Sequence, residues 1–139
     1  MKYQIKVMLI GAASILIGCM IFGFGKALPR QDERPITLTE FKKRVAGKEK
    51  LVLVYFSADW CMVCAKIKPI IDSVEKQYKE KVDVLRINTD RDKEVAAEFE
   101  VDALPIFILY KNNCREWIHV GLIEKKELNT TLNAYLQVK

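Results

Sequence analysis

Two cysteines three apart, in the stretch Ser57-Ala58-Asp59-Trp60-Cys61-Met62-Val63-Cys64-Ala65-Lys66, are the residues of this chain best suited to chemistry. Such a pair can exchange electrons by closing and opening a disulfide, hold a metal, or fill space as small hydrophobes. A structural zinc site takes four ligands, usually from two such pairs. The further candidates here, Cys114, His119 and scattered carboxylates, stand in no recognisable zinc spacing. Electron exchange needs one sulfur held as a thiolate and a second within bonding reach. Residues placed one turn apart on a helix have Cα atoms about 5–6 Å apart, which suits a disulfide.

The flanking elements must supply that placement. Leu51–Phe56, LVLVYF, is a short continuous apolar run with β-branched and aromatic residues, expected to form a central strand covered on both faces. From Cys61 to about Lys79, Cys64, Ile67, Ile71, Val74 and Tyr78 fall on one helical face, and Pro69 should kink that helix. Strand, turn and helix then set Cys61 at a helix N-terminus, just past the C-terminal end of the strand. Reactive sites of open α/β sheets lie there. Unpaired backbone N–H groups and the positive dipole end favour the thiolate of Cys61, the species that attacks a disulfide. Cys64 begins the apolar face and should be the more buried sulfur. Cys61 would attack, and Cys64 would resolve the mixed disulfide.

The remaining pattern reads as an alternation. Thr37-Leu38-Thr39-Glu40 matches a capping box that opens a short helix through Ala46, ended by Gly47. Val82–Ile87 is a strand, Arg91–Phe99 a short helix and Pro105–Tyr110 a third strand. Asn112-Asn113 turns the chain into a paired strand over Glu116–Val120, and Glu124–Leu136 closes as an amphipathic helix. The fold class is α/β, a mixed β-sheet flanked by helices. The alternation predicts parallel pairing with right-handed crossovers, and an antiparallel hairpin at the edge.

Phe56-Ser57-Ala58-Asp59-Trp60-Cys61-Met62-Val63-Cys64, with Lys66 and Pro69, resembles the thioredoxin superfamily signature F-x-A-x-W-C-x-x-C-K…P. Val101-Asp102-Ala103-Leu104-Pro105-Ile106-Phe107 resembles its second signature, and Lys111-Asn112-Asn113 with Gly121 fits the closing hairpin. The resemblance spans roughly residues 37 to 137. It implies a thioredoxin fold and exchange catalysis by Cys61 and Cys64. It also implies a cis bond at Leu104-Pro105 that faces the cysteines, leaves the Leu104 backbone free for an extended substrate, and works beside Trp60 on the docking surface. The ADWC wording is most similar to membrane-tethered, extracytoplasmic members, including the terminal domain of DsbD-type reductant carriers.

The chain departs from the family at several points. Met62-Val63 stands where thioredoxin carries Gly-Pro, and these two residues tune thiolate stability and hence potential. Tyr55 occupies the place of the buried aspartate thought to relay the second cysteine's proton, and Arg86 that of its lysine partner. A Tyr55–Arg86 hydrogen bond is conceivable, but a phenol titrating near 10 is a poor base at neutral pH. Ala65 replaces the usual lysine, with Lys66 following. Cys114, after the turn, should be exposed and reads as incidental, as one half of an intermolecular disulfide, or as a third redox thiol. His119 reads as structural.

The N-terminus stands apart. Val7–Gly25 is 19 residues without a charge. As a helix it would span roughly 28 Å, close to a bilayer core. It reads as an N-terminal transmembrane or signal helix over residues 1–25, followed by a Pro- and charge-rich linker over 26–36 and the domain over 37–139. Three forms stand side by side: an uncleaved anchor, a signal cleaved near Gly25-Lys26-Ala27, and a lipoprotein signal. In the last, Leu16-Ile17-Gly18-Cys19 resembles a lipobox and Cys19 would be acylated. All three favour an extracytoplasmic domain, which the uncleaved anchor or the acylated Cys19 would keep attached to the membrane. The basic residues on both flanks of the span do not decide its orientation.

The 139 residues are 50% hydrophobic and 29% charged, enough for one packed domain. The net charge of +5 is spread along the chain in no basic block, so nucleic-acid binding has little support. No GxGxxG motif is present to take electrons from a nucleotide, and no bound cofactor is implied. The expected function is reduction of protein disulfides outside the cytoplasm, fed by another thiol protein. The alternatives are an oxidase or isomerase, and a redox-inert adaptor that only binds extended peptides.

Overall fold

A computed structural model describes residues 34–47 and 50–137. The candidate span over 7–25 and Cys19 lie outside the described residues. Among the described residues no helix is long and apolar enough to cross a membrane.

The elements run α1 (Leu38–Val45), β1 (Leu51–Ser57), α2 (Met62–Gln77), β2 (Val82–Asn88), α3 (Lys93–Glu98), β3 (Ile106–Lys111), β4 (Cys114–Val120) and α4 (Lys125–Gln137). All eight expected elements form, with ends moved by one or two residues. Thr37 caps α1 by accepting from the Glu40 N–H at 3.2 Å. The reciprocal half of the expected capping box is not made. The Glu40 carboxylate turns instead to Arg34 at 3.2 Å.

The four strands form one sheet in the order β2-β1-β3-β4. β1 runs parallel to β2 but antiparallel to β3, and β3 is antiparallel to β4. The parallel pairing predicted for β3 is therefore corrected. The reason lies in the length of α3. Six residues of helix reach about 9 Å, far less than the roughly 23 Å length of a seven-residue strand. So short a helix does not by itself carry the chain back along the sheet, and β3 starts at the end where β2 stops. Asn112 and Asn113 both have positive φ, 50° and 66°, which suits the tight turn into β4.

β1 feeds two cores, which explains its unbroken apolar run. Leu51, Leu53 and Tyr55 join Phe107 and Leu109 of β3 against Ile67, Ile71 and Val74 of α2 and Leu128 and Leu132 of α4. Val52, Val54 and Phe56 face the other way, against Phe41 and Val45 of α1 and Val95 of α3. The predicted apolar face of α2 is the buried one, at Cys64, Ile67, Ile71 and Val74, and the helix continues through Pro69.

Candidate active site

β1 ends at Ser57, and a short turn carries the chain into α2. The turn is held by the Cys61 N–H donating to the Ala58 carbonyl at 3.2 Å. Cys61 is the N-cap of α2, with extended backbone, and its carbonyl accepts the first helical bond from Ala65 at 3.1 Å. Helix starts favour a side chain there that can accept from the first turn. The Cys61 sulfur does so, taking the Cys64 N–H at 3.1 Å. The same N–H would stabilise a thiolate at that atom. Cys61 and Cys64 are joined as a disulfide, with Cα atoms 5.2 Å apart. Both are buried, at 7% and 4% exposure, so Cys64 is the more enclosed by a small margin only.

Around this buried pair stands an open apolar rim. Trp60 is 70% exposed and Met62 80%, with Val63 partly covered. The Trp60 indole N–H donates to Asp90 at 3.3 Å, which ties the rim to the loop after β2. Because β3 is antiparallel to β1, its first residue, Ile106, lies opposite Phe56 at the cysteine end of the sheet. Pro105 precedes it, buried, with a cis bond to Leu104. The Pro105 carbonyl accepts from the Gly121 N–H at 2.8 Å, and half-buried Leu104 packs against both cores.

Tyr55 and Arg86 face each other in register across β1 and β2. The hydrogen bond considered between them is absent. The Tyr55 hydroxyl donates to the Cys64 carbonyl at 3.2 Å. Arg86 turns outward to Asp72 and Glu75, at 2.8 Å each. A guanidinium with two carboxylates in reach on α2 gains more from them than from a neutral phenol. Burial pushes the Tyr55 phenol above its ordinary range, and the Arg86 charge only partly opposes this. Burial works against the Arg86 charge, but its bonds to Glu75 and Asp72 more than offset it, leaving that group still harder to deprotonate.

A cleft of about 460 Å³ opens beside the disulfide. Both cysteines line it, with Tyr55, Asp59, Lys68 and Arg91 among its walls. Asp59 is held by the Asn88 side-chain N–H at 2.9 Å. Arg91 is paired with the buried Asp92, which also accepts from the backbone N–H groups of Asn88 at 2.7 Å and Ile36 at 3.0 Å. Sequence reasoning missed Lys68, Arg91 and Asp92. The one usable signal was the four-residue step from Cys64 to Lys68, which puts both on one helical face. A larger cavity, about 510 Å³, lies along the outer edge of β2 and includes neither cysteine.

Cys114 is exposed at the start of β4. His119 sits within 3.1 Å of the Leu122 carbonyl and stacks on Trp117 at 5.7 Å, away from the cysteines' walls. Its setting is a packing one.

The arrangement can be compared with known proteins. The family model described as thioredoxin matches residues 33–134. The chain is similar to a thioredoxin of Porphyra purpurea, 33% identical over 101 residues, spanning 73% of this chain and 94% of that protein. A thioredoxin of Rickettsia felis is 36% identical over 98 residues, spanning 70% and 93%. A solved structure from work on the thiol-resolving mechanism of a yeast mitochondrial one-cysteine peroxiredoxin superposes with a TM-score of 0.64. It covers 73% of this chain and 93% of that one, at 24% identity, a likeness of fold alone.

Proposed function

This chain belongs to the thioredoxin family and is a thiol–disulfide oxidoreductase, and from that premise we propose that it reduces protein disulfides outside the cytoplasm while attached to a membrane. The observation that carries the exchange chemistry is the Cys61–Cys64 disulfide on the first turn of α2, with its sulfur receiving a backbone N–H.

In the reduced protein the Cys61 thiolate attacks a substrate disulfide. A Cys61–substrate bond forms, and the other substrate sulfur leaves with the electron pair. Cys64 then attacks Cys61, the internal disulfide closes, and the substrate leaves as a dithiol. A second thiol protein returns two electrons to the pair. Trp60 and Met62 offer apolar contact to the incoming chain, and the backbone of Leu104 beside Pro105 pairs with its extended strand. Met62 and Val63 lie between the cysteines, where they tune the thiolate, with Tyr55 and Arg86 behind. The run Val7–Gly25 supports the membrane attachment, either as an anchor or through acylation of Cys19.

Insulin reduction with dithiothreitol as donor tests the activity. Wild type should accelerate it, and Cys61→Ser should not. Equal behaviour of the two would favour a peptide-binding adaptor. Equilibration against glutathione tests the direction: a potential near about −270 mV marks a reductant, and one near about −120 mV an oxidant. Labelling of Cys114 with a membrane-impermeant maleimide in intact cells tests the location, and protection from it would refute the extracytoplasmic placement.

A further inference from the structure

The second half of the exchange needs Cys64 as a thiolate, and among the described residues no side-chain base is hydrogen-bonded to the Cys64 sulfur. Tyr55 is the side chain directly behind Cys64, but its hydroxyl is a donor to the Cys64 carbonyl. The carboxylate in the cleft wall, Asp59, is engaged by Asn88. Of the three cations lining the cleft, Arg86 is paired with Asp72 and Glu75, and Arg91 with Asp92. Lys68 differs. Among the described residues it has no ion-pair partner, and it sits one turn beyond Cys64 on α2. Side chains on a helix lean toward its N-terminus, so a residue at i+4 covers the one at i.

Resting on the dithiol reading above, we propose that Lys68 is the positioning residue that holds Cys64 as a thiolate during resolution of the mixed disulfide. The Cys64 proton leaves to water in the cleft. The ammonium of Lys68 then stabilises the sulfur anion that remains, so a nearby charge replaces a buried base. Cys64 attacks Cys61 Sγ, the Cys61–Cys64 bond forms, and the Cys61–substrate bond breaks. The electron pair departs with the substrate sulfur, which takes a proton from solvent. The groups facing Cys64 fall into two sets. Lys68 on α2 favours the anion, and Asp59 on the β1–α2 turn opposes it. Arg86 on β2 and Arg91 after it are neutralised by their carboxylate partners, and Tyr55 and Ser57 on β1 are uncharged.

The test uses the full-length chain in mild detergent, with Cys19→Ser and Cys114→Ser to leave only the pair reactive. The reduced protein is mixed with 5,5′-dithiobis(2-nitrobenzoate) in a stopped-flow cell. Cys61 releases one coloured thiolate in a first phase, and Cys64 releases the second on closing the disulfide. The pH midpoint of the second phase reports the ionisation of Cys64. At the spacing of an i, i+4 pair in a solvated cleft, Lys68→Gln should raise that midpoint by about half a unit. Below the midpoint the second phase should then run roughly threefold slower. Lys68→Glu should move it about twice as far, Lys68→Arg should restore it, and about 1 M salt should shrink every difference. Lys66→Gln, outside the cleft, is the control. An unmoved midpoint in Lys68→Gln and Lys68→Glu, or an equal shift in Lys66→Gln, would overturn the proposal. A parent protein with no first phase would instead refute the exchange reading on which it stands.

Discussion

Tyr55→Phe separates the structural work of the phenol from a catalytic one. Tyr55 is 3% exposed, and its ring stacks on Phe107 with centroids 5.2 Å apart. Phenylalanine keeps the ring, the stacking and nearly all the buried area. What is lost is one O–H bond to the Cys64 carbonyl, 3.2 Å long. That carbonyl belongs to α2 and retains its helical partner, so it is not orphaned. The net loss is then about 1 kcal/mol. With a urea m-value of about 1.5 kcal/mol/M, the midpoint should fall by about 0.7 M near neutral pH. Alkaline pH adds a second signature. The folded phenol resists ionisation because it is buried, with Arg86 only partly opposing that burial. Its folded-state pKa lies above its unfolded one, so this contribution is fully present below about pH 10 and is lost as pH rises beyond it. Wild type should therefore lose its advantage over Tyr55→Phe above that pH. Insulin reduction should stay within about twofold of wild type, since a true proton acceptor would be worth a hundredfold or more. A rate loss of that size would make Tyr55 the base and refute the reasoning, as would a stability gap that persists unchanged at high pH.

Cys64→Ser should leave the attacking thiol in place and trap substrate on Cys61. A reductant-sensitive adduct visible by non-reducing electrophoresis checks this, and its absence would count against the assigned order of the two sulfurs. Asp92→Ala removes the acceptor for the backbone N–H groups of Ile36 and Asn88 and leaves Arg91 unpaired. It should lower stability by about 2–4 kcal/mol in urea titrations, whereas a loss under about 1 kcal/mol would show that water satisfies those donors. Phe107→Ala empties a fully buried site in the core that β1 and β3 share with α2 and α4 and should cost about 3–5 kcal/mol. Asp90→Ala frees the Trp60 indole. It should change stability by less than about 1 kcal/mol, because the bond is exposed, while lowering the anisotropy of Trp60 measured with Trp117 replaced by Phe.

The sequence by itself determined the local units and the chemistry they hold. The apolar run of β1, the one-faced pattern of α2 and the spacing of Cys61 and Cys64 are all encoded within a few turns of chain. Periodicity and capping act over that same range, so the strand–turn–helix junction and its pair of bridging sulfurs are legible from residue order alone. Tertiary structure alone decided the direction of β3. Alternation argued for a parallel strand, but the chain re-enters the sheet at the end where β2 stops and β3 runs antiparallel to β1. That reversal carries Pro105 to the cysteine end. Tertiary structure also chose partners among equals. Arg86 met Asp72 and Glu75 of α2 rather than Tyr55 across the sheet. Asp92 was joined to Ile36 across 56 positions of sequence. Such pairings depend on which faces are packed together, and that is settled by burying both sides of one sheet at once. No window of sequence short enough to show a period contains that information.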